Sequence, residues 1–498
     1  MTIRNTLASA LLALVACLTP SLQAFAGGAG GGAGDDVLEF SLVVCVGPGH
    51  TINDVVEPLS PYMVSIEVED SLGDNKYLVE FEYDTGTDSQ QVLAVVIDLW
   101  VAGVIVWGEN DIQAQAPEGR TDSLWFTGLA IGGDQYDVQY AAPTIQADQS
   151  IPQASGSGVT VAIIDTGVDL THPLFAKNTV PGWDFLMGTA TIVDPSDGID
   201  NDGDGLIDEM VGHGTFVASL VRRVARDAAI MPIRILDSDG AGQQYNLASA
   251  INWAVSHGAD VINLSLGSNG ASTAVAEAIQ SAKLAGAVVV CAIGNDSTSV
   301  QAQYPASDAN AFAVAATDVN DLLASFSNYG ADVDMCAPGA TTTFGGQPVL
   351  AESIVGAIPG GGFAIWQGSS FSTAFVSGLA ACVRSQHPEW PDATTPATAI
   401  ADAVMAAVAA GAVDIEELNP THAGKLGAGR INVFASTQLG PQAPFVTDLD
   451  SSGAVGGADL SLFLADWGDC APGACPSDIN RDGFIDGADL SILFANWG

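Results

Sequence analysis

From Gly156 onward the chain alternates uninterrupted apolar runs with amphipathic segments, in the order VTVAIIDTG, GTFVASLVRRVA, AAIMPIRIL, YNLASAINWAVSHG, DVINLSLG, TAVAEAIQSAKLAG and AVVVCAIGN. Runs of Val, Ile and Ala with no polar residue at every second position are strands buried on both faces. Such strands between helices are what a parallel sheet covered on both faces requires, so the alternation predicts an α/β fold. In such sheets ligand crevices open at the carboxyl ends of strands. That is where chemistry should be sought.

Four segments place reactive residue types at such positions. VAIIDTGVD carries Asp165 at the end of an apolar run, VGHGTFVAS carries His213 between Gly212 and Gly214, AVVVCAIGN ends on Asn295, and WQGSSFSTAF carries Ser370 where a helix opens. Each alone has a plainer reading: a turn or capping aspartate, a structural histidine, a turn asparagine, a capping serine. Together they supply a nucleophile, the base that takes its proton and a carboxylate that fixes the base's tautomer. The other five histidines, His50, His172, His257, His387 and His422, have no such context.

The chain order Asp, His, Ser separates this arrangement from folds using the same residues in other orders. With the motifs around all four positions, the stretch from about Tyr140 to Thr437 resembles the subtilisin-like serine protease family. The resemblance implies an endopeptidase that hydrolyses polypeptides through an acyl-enzyme. Asp165 would orient the base, His213 would move the proton and Ser370 would attack. The Asn295 amide, with the Ser370 N–H, would hold the oxyanion. It also implies groove walls at Ser265, Leu266 and Gly267 and at Gly240, Ala241 and Gly242, where an extended peptide would pair by strand addition. Phe216 stands where the family usually has a second histidine, and Ala374 and Phe375 replace a proline and a histidine, so unusual packing is expected there.

The N-terminal part follows the same resemblance. Residues 1–26 have a charged start at Arg4, an apolar core from Leu7 to Leu18 and a small-residue exit at Ala24 and Ala26, the pattern of a signal peptide for secretion. A glycine-rich leader spans 27–35. Residues 36–127 read as strand, helix, strand, strand, helix, strand, the element order of the family's propeptides, which implies a self-processing zymogen. Residues 128–150 read as a loose processing linker, 151–440 as the catalytic domain and 441–498 as a separate unit.

The formal charge is −45, from 58 acidic against 13 basic residues, a field that repels phosphate backbones and excludes nucleic acid as a partner. Dense acids coat a surface or bind cations. In SDGIDNDGDGLIDE, Asp200, Asp202, Asp204 and Asp208 occupy spacings 1, 3, 5 and 9 of a calcium loop, although position 12 is Val211. The alternative there is a solvated acidic loop. Residues 448–468 recur at 478–498 with 10 of 21 positions identical. The first copy offers Asp448, Asp450, Ser452 and Asp459; the second offers Asp478, Asn480, Asp482, Asp486 and Asp489. This twin loop-helix unit resembles dockerin modules, which implies Ca2+ as ligand and a cohesin-like protein as partner.

Cys470 and Cys475 make a plausible small disulfide, while Cys45, Cys291, Cys336 and Cys382 sit in apolar or small-residue runs that suit buried thiols. The expectation is therefore a secreted, monomeric, calcium-binding endopeptidase of subtilisin-like α/β fold, with a small α+β propeptide domain before it and a small α-helical dockerin-like module after it. The rival is a noncatalytic scaffold that keeps the protease fold and works through the C-terminal module.

Overall fold

The computed structural model describes residues 37–439, apart from 74, 85–88, 121–130, 150–153, 202–203, 269, 300–302 and 393–394, and beyond these only 460, 463–464, 468–469 and 484–485. The signal peptide, the leader, the ligands expected in the C-terminal repeat, Asp202 and the Cys470 and Cys475 pair all lie outside the described residues.

The first part is a four-stranded antiparallel sheet. Its strands are β1 (Val37–Val46), β2 (Ser65–Gly73), β3 (Lys76–Asp84) and β4 (Ile105–Asn110), ordered β2-β3-β1-β4. Two helices, α1 (Asn53–Leu59) and α2 (Ser89–Val101), complete the element order expected from the sequence. One sheet face carries Leu42, Val44, Val79 and Phe81, which close on Val55, Leu59, Val92 and Leu99 of the helices. This is a small core of its own. After β4 the chain runs as a short strand, β5 (Gln113–Gln115), and ends in a 3-10 turn at Pro117–Arg120.

The second part is built on a seven-stranded sheet. Its strands are β6 (Thr160–Asp165), β7 (Trp183–Asp184), β8 (Ala229–Arg234), β10 (Val261–Leu264), β11 (Val288–Ala292), β12 (Phe312–Thr317) and β13 (Met335–Pro338). They are ordered β13-β12-β11-β10-β6-β8-β7 and every pairing between them is parallel. A short strand outside the sheet, β9 (Ala241–Gln243), lies between β8 and β10 in the chain. An antiparallel hairpin, β14 (Ile354–Ile358) and β15 (Gly362–Trp366), leads to the site.

Continuous apolar runs became fully buried strands, as their composition requires: β10, β11 and β12 contain no exposed residue. The helices are α3 (His213–Val224), α4 (Gln244–Ser256), α5 (Thr273–Ala285), α6 (Ser369–Ser385) and α7 (Ala397–Ala410). Residues 369–383 of α6 are buried on every side. Its small residues, Ala374, Ser377, Gly378, Ala380 and Ala381, let an enclosed helix pass against the sheet and α3.

One boundary needs correction. Residues 131–149, expected within the linker at 128–150, are built into the catalytic body. Tyr140, Ala141, Ala142 and Ile145 join its core, and the Tyr136 hydroxyl donates to the Ser219 carbonyl at 2.7 Å. Arg223 clamps the far end through Asp148 at 2.8 Å. The apolar side chains in this stretch outweigh its turn-like glycines. Cys45 is only half-buried, whereas Cys291, Cys336 and Cys382 are buried thiols outside any disulfide, and burial pushes those of Cys336 and Cys382 up to about 12. They are inert packing groups.

Candidate active site

Strand β6 ends at Asp165, and helix α3 begins at His213 directly above it. The closeness depends on Gly214, where a Cβ would come within 2.1 Å of the Gly167 carbonyl and 3.1 Å of Asp165. His213 Nδ1 meets Asp165 Oδ1 at 2.8 Å, with both side chains fully buried. The same carboxylate oxygen accepts from the Thr166 N–H at 2.7 Å, which fixes its direction. Behind the imidazole stand Trp366, with its ring centroid 5.4 Å away, and Phe371 at 5.7 Å. Phe216 packs on both, at 5.9 and 4.5 Å. The residue that replaces the usual second histidine thus completes an aromatic wall against the catalytic ring.

Ser370 opens α6, whose N-terminal N–H groups and dipole favour negative charge. Its carbonyl accepts from Ser265 Oγ at 3.0 Å, and Ser265 is held in turn by Asn263 Nδ2 at 2.9 Å. Asn295 follows β11, and its Oδ1 takes the Ser369 N–H at 3.0 Å. That bond leaves the Asn295 Nδ2 free to donate elsewhere. The structure therefore brings together the four residues singled out from the sequence: a histidine held by a carboxylate, a serine in the first turn of a helix, and an asparagine bonded to the residue before that serine.

A segment of the chain lies between the two stretches expected as groove walls. Strand β5 pairs antiparallel with β9, Ala114 opposite Gly242 and Gln115 opposite Ala241. The Ala116 N–H continues this pairing by donating to the Gly240 carbonyl at 2.9 Å, and on the other side Gln115 exchanges two 2.9 Å backbone bonds with Gly267. Residues 113–116 thus pair with β9 on one edge and bridge Gly267 on the other, the geometry an extended peptide adopts by strand addition.

Two side chains that sequence reasoning missed complete the site. Glu118, 1% exposed, receives the Ser370 hydroxyl at 2.7 Å and the Asn295 amide at 3.0 Å, and it lies 3.2 Å from His213 Nε2. Burial works against an imidazolium here, yet the carboxylates of Asp165 and Glu118 outweigh it and raise His213 to about 10. Asp194 is buried beneath the start of α3, where Thr215 Oγ1 donates to it at 3.0 Å. Burial, with Asp165 close by, pushes its carboxyl up to about 6. Asp194 ties the first turn of α3 to the loop before it.

In the acidic loop the described carboxylates take backbone N–H groups. Asp200 accepts from the Gly205 N–H at 3.0 Å, Asp204 from Leu206 at 2.7 Å and Asp208 from Asp197 at 2.9 Å. Its carboxylates are taken up by backbone turns, and among the described residues no three His, Cys, Asp or Glu side chains group to hold a metal ion. Glu209 differs: both of its oxygens are buried without a hydrogen-bond partner among the described residues. Burial and the charges of Asp239 and Asp204 push it up to about 7.

An aspartate-oriented histidine beside a serine at a helix N-terminus, with an asparagine amide aimed at the same point, is the acyl-transfer machinery of a serine endopeptidase. Residues 156–431 match the model of the subtilase family, peptidase S8, and the chain belongs to that family. It is 36% identical over 258 residues to thermitase of Thermoactinomyces vulgaris, covering 50% of this chain and 82% of thermitase. To subtilisin BL of Lederbergia lenta it is 36% identical over 245 residues, covering 47% of this chain and 80% of that protein. A solved lanthipeptide protease shares the fold at 22% identity, with a TM-score of 0.50 over 61% of this chain and 95% of the other. Among the described residues no helix is long and apolar enough to cross a membrane.

Proposed function

We propose that this serine endopeptidase is made as a secreted zymogen that cuts itself. The observation that carries this reading is the segment 113–118 laid through the groove as a third strand and ending on the catalytic groups. An N-terminal domain with its own core, joined to a strand seated in the substrate groove, is arranged as a propeptide. Removing it would open the groove to other polypeptides. Asp165 orients His213, His213 takes the Ser370 proton, and Asn295 with the Ser370 N–H receives the oxyanion.

The test is labelling with a fluorophosphonate, in which the Ser370 oxygen replaces fluoride on phosphorus. The processed chain should carry one label, on Ser370. A processed chain left unlabelled would support the rival reading of a scaffold that keeps the fold without the chemistry.

Calcium belongs to the same proposal, together with the dockerin-like repeat and a cohesin-like partner. In the catalytic body the crowding of Glu209, Asp239 and Asp204 is what a cation would relieve. An ion held only by the folded form at a hundredfold excess over its Kd adds about 2.7 kcal/mol. The catalytic body of the full-length chain should therefore melt higher in calcium than in chelator. Melting that ignores calcium would leave the 200–208 loop a solvated acidic loop.

A further inference from the structure

We propose that the Glu118 side chain is itself the lock of the active site: a carboxylate seated in the oxyanion position that keeps Ser370 and His213 idle until residues 117–120 are withdrawn. This rests on the zymogen reading and goes beyond it. A strand in the groove explains where a propeptide binds, whereas Glu118 specifies what stops the chemistry.

The lock contacts every working part at once. One oxygen of Glu118 takes the Ser370 hydroxyl at 2.7 Å and faces His213 Nε2 at 3.2 Å, while the other takes the Asn295 amide at 3.0 Å. Its seat is shaped for it, because a Cβ on Gly368 would lie 1.7 Å from the Glu118 oxygen. The main chain meanwhile turns away. Pro117–Arg120 closes a 3-10 turn with the Gly119 N–H on the Ala116 carbonyl at 3.0 Å, ending the extended strand just before the nucleophile. Ser370 therefore meets a carboxylate where a substrate would offer a peptide carbonyl. An ionised carboxylate is resonance-stabilised and has no amine to expel, so occupancy is unproductive.

The same contacts disarm the base. The Ser370 proton is directed at Glu118, and the groups facing His213 are Asp165 on β6 and Glu118 on the incoming segment, with Asp194 behind Asp165 and the uncharged rings of Trp366 and Phe371 on the other side. Two carboxylates favour the charged form of the imidazole, and a protonated ring cannot accept a proton. Withdrawing Glu118 removes one of them, so the locked form binds a proton that the open form gives up. The lock should weaken as pH rises and tighten as it falls.

The experiment is the rate of fluorophosphonate labelling of Ser370 in the intact full-length chain, resolved from processed chain by mass, across pH. Wild-type precursor should label slowly and faster with rising pH. Glu118→Ala and the isosteric Glu118→Gln precursors should label at least about tenfold faster, since losing a hydrogen bond between charged groups shifts an equilibrium by an order of magnitude or more. Their pH dependence should also be flatter. Glu118→Asp, which keeps the charge on a shorter arm, should fall between. Precursors of Glu118→Gln and Glu118→Ala that label at the wild-type rate with the wild-type pH profile would overturn the lock. Failure of the endopeptidase reading is a separate outcome, in which even processed wild-type chain does not label.

Discussion

Full-length protein carrying Ser370→Ala should accumulate as an intact, folded chain that never sheds its N-terminal domain. The lost hydroxyl contributes one bond to Glu118 and one weaker contact, at 3.3 Å, to the Ser265 carbonyl, while the Glu118 contacts to His213 and Asn295 remain. Removing a small buried hydroxyl between groups that keep other partners costs little stability. The chemical cost is of another order, because the triad acts as a unit, and loss of the nucleophile in subtilisin itself lowers kcat by about 2 × 10^6. The measurement is the mass of purified variant over time, with a trace of active wild-type enzyme added in a parallel sample. Trimming only in that sample assigns cleavage to Ser370. Trimming at the wild-type rate without it would show that another residue or another protease performs the cut.

The fold was legible because it rests on local patterns. Continuous Val, Ile and Ala runs alternating with amphipathic segments suit central parallel strands, and β6, β10, β11 and β12 became those. The convergence of Asp165, His213, Asn295 and Ser370 was legible because each sits in a short motif, with a glycine there for a geometric reason at Gly214. Glu118 was not legible. Its partners lie 95 and 252 residues away, and its own neighbourhood, Pro117 and Gly119, reads as an ordinary turn. Only a buried carboxylate closed on by three polar groups shows what the turn does. Asp194 was hidden for the same reason, being an acid before a proline with its partners on another element.

At the acidic loop two readings share one spacing. Carboxylates two residues apart suit a calcium loop, but the same spacing lets each oxygen take the backbone N–H two residues on, as Asp204 does with Leu206 and Asp197 with Ile199. Spacing alone does not separate the two. The length of the apolar stretch 131–149 was misjudged because its aromatic anchors, Tyr136 and Tyr140, are scattered among residues typical of loops.

Asp165→Asn should leave the processed enzyme folded and lower kcat by about 3 × 10^4, the factor known for the corresponding aspartate of subtilisin. Asp165 does two things in this geometry. It accepts the Nδ1–H at 2.8 Å, leaving Nε2 free to take the serine proton, and it steadies the imidazolium that forms. An asparagine of the same shape keeps the Thr166 N–H contact through its oxygen but offers an amide donor as well. The neutral imidazole can then sit with its proton on Nε2, where it cannot act as a base. The substitution also removes a charge that raises His213, so the limb of kcat/KM that reports deprotonation of the histidine should move to lower pH. The direction is fixed by sign: a nearby carboxylate favours the protonated ring, and losing it lets the ring lose its proton earlier. The paired readout is a rate profile of wild type and variant on one peptide substrate, with activity titrated against active sites. A large fall in kcat together with an acid-shifted limb supports the assigned role. A variant that keeps its rate, or whose limb moves to higher pH, would show that His213 is oriented by something other than Asp165.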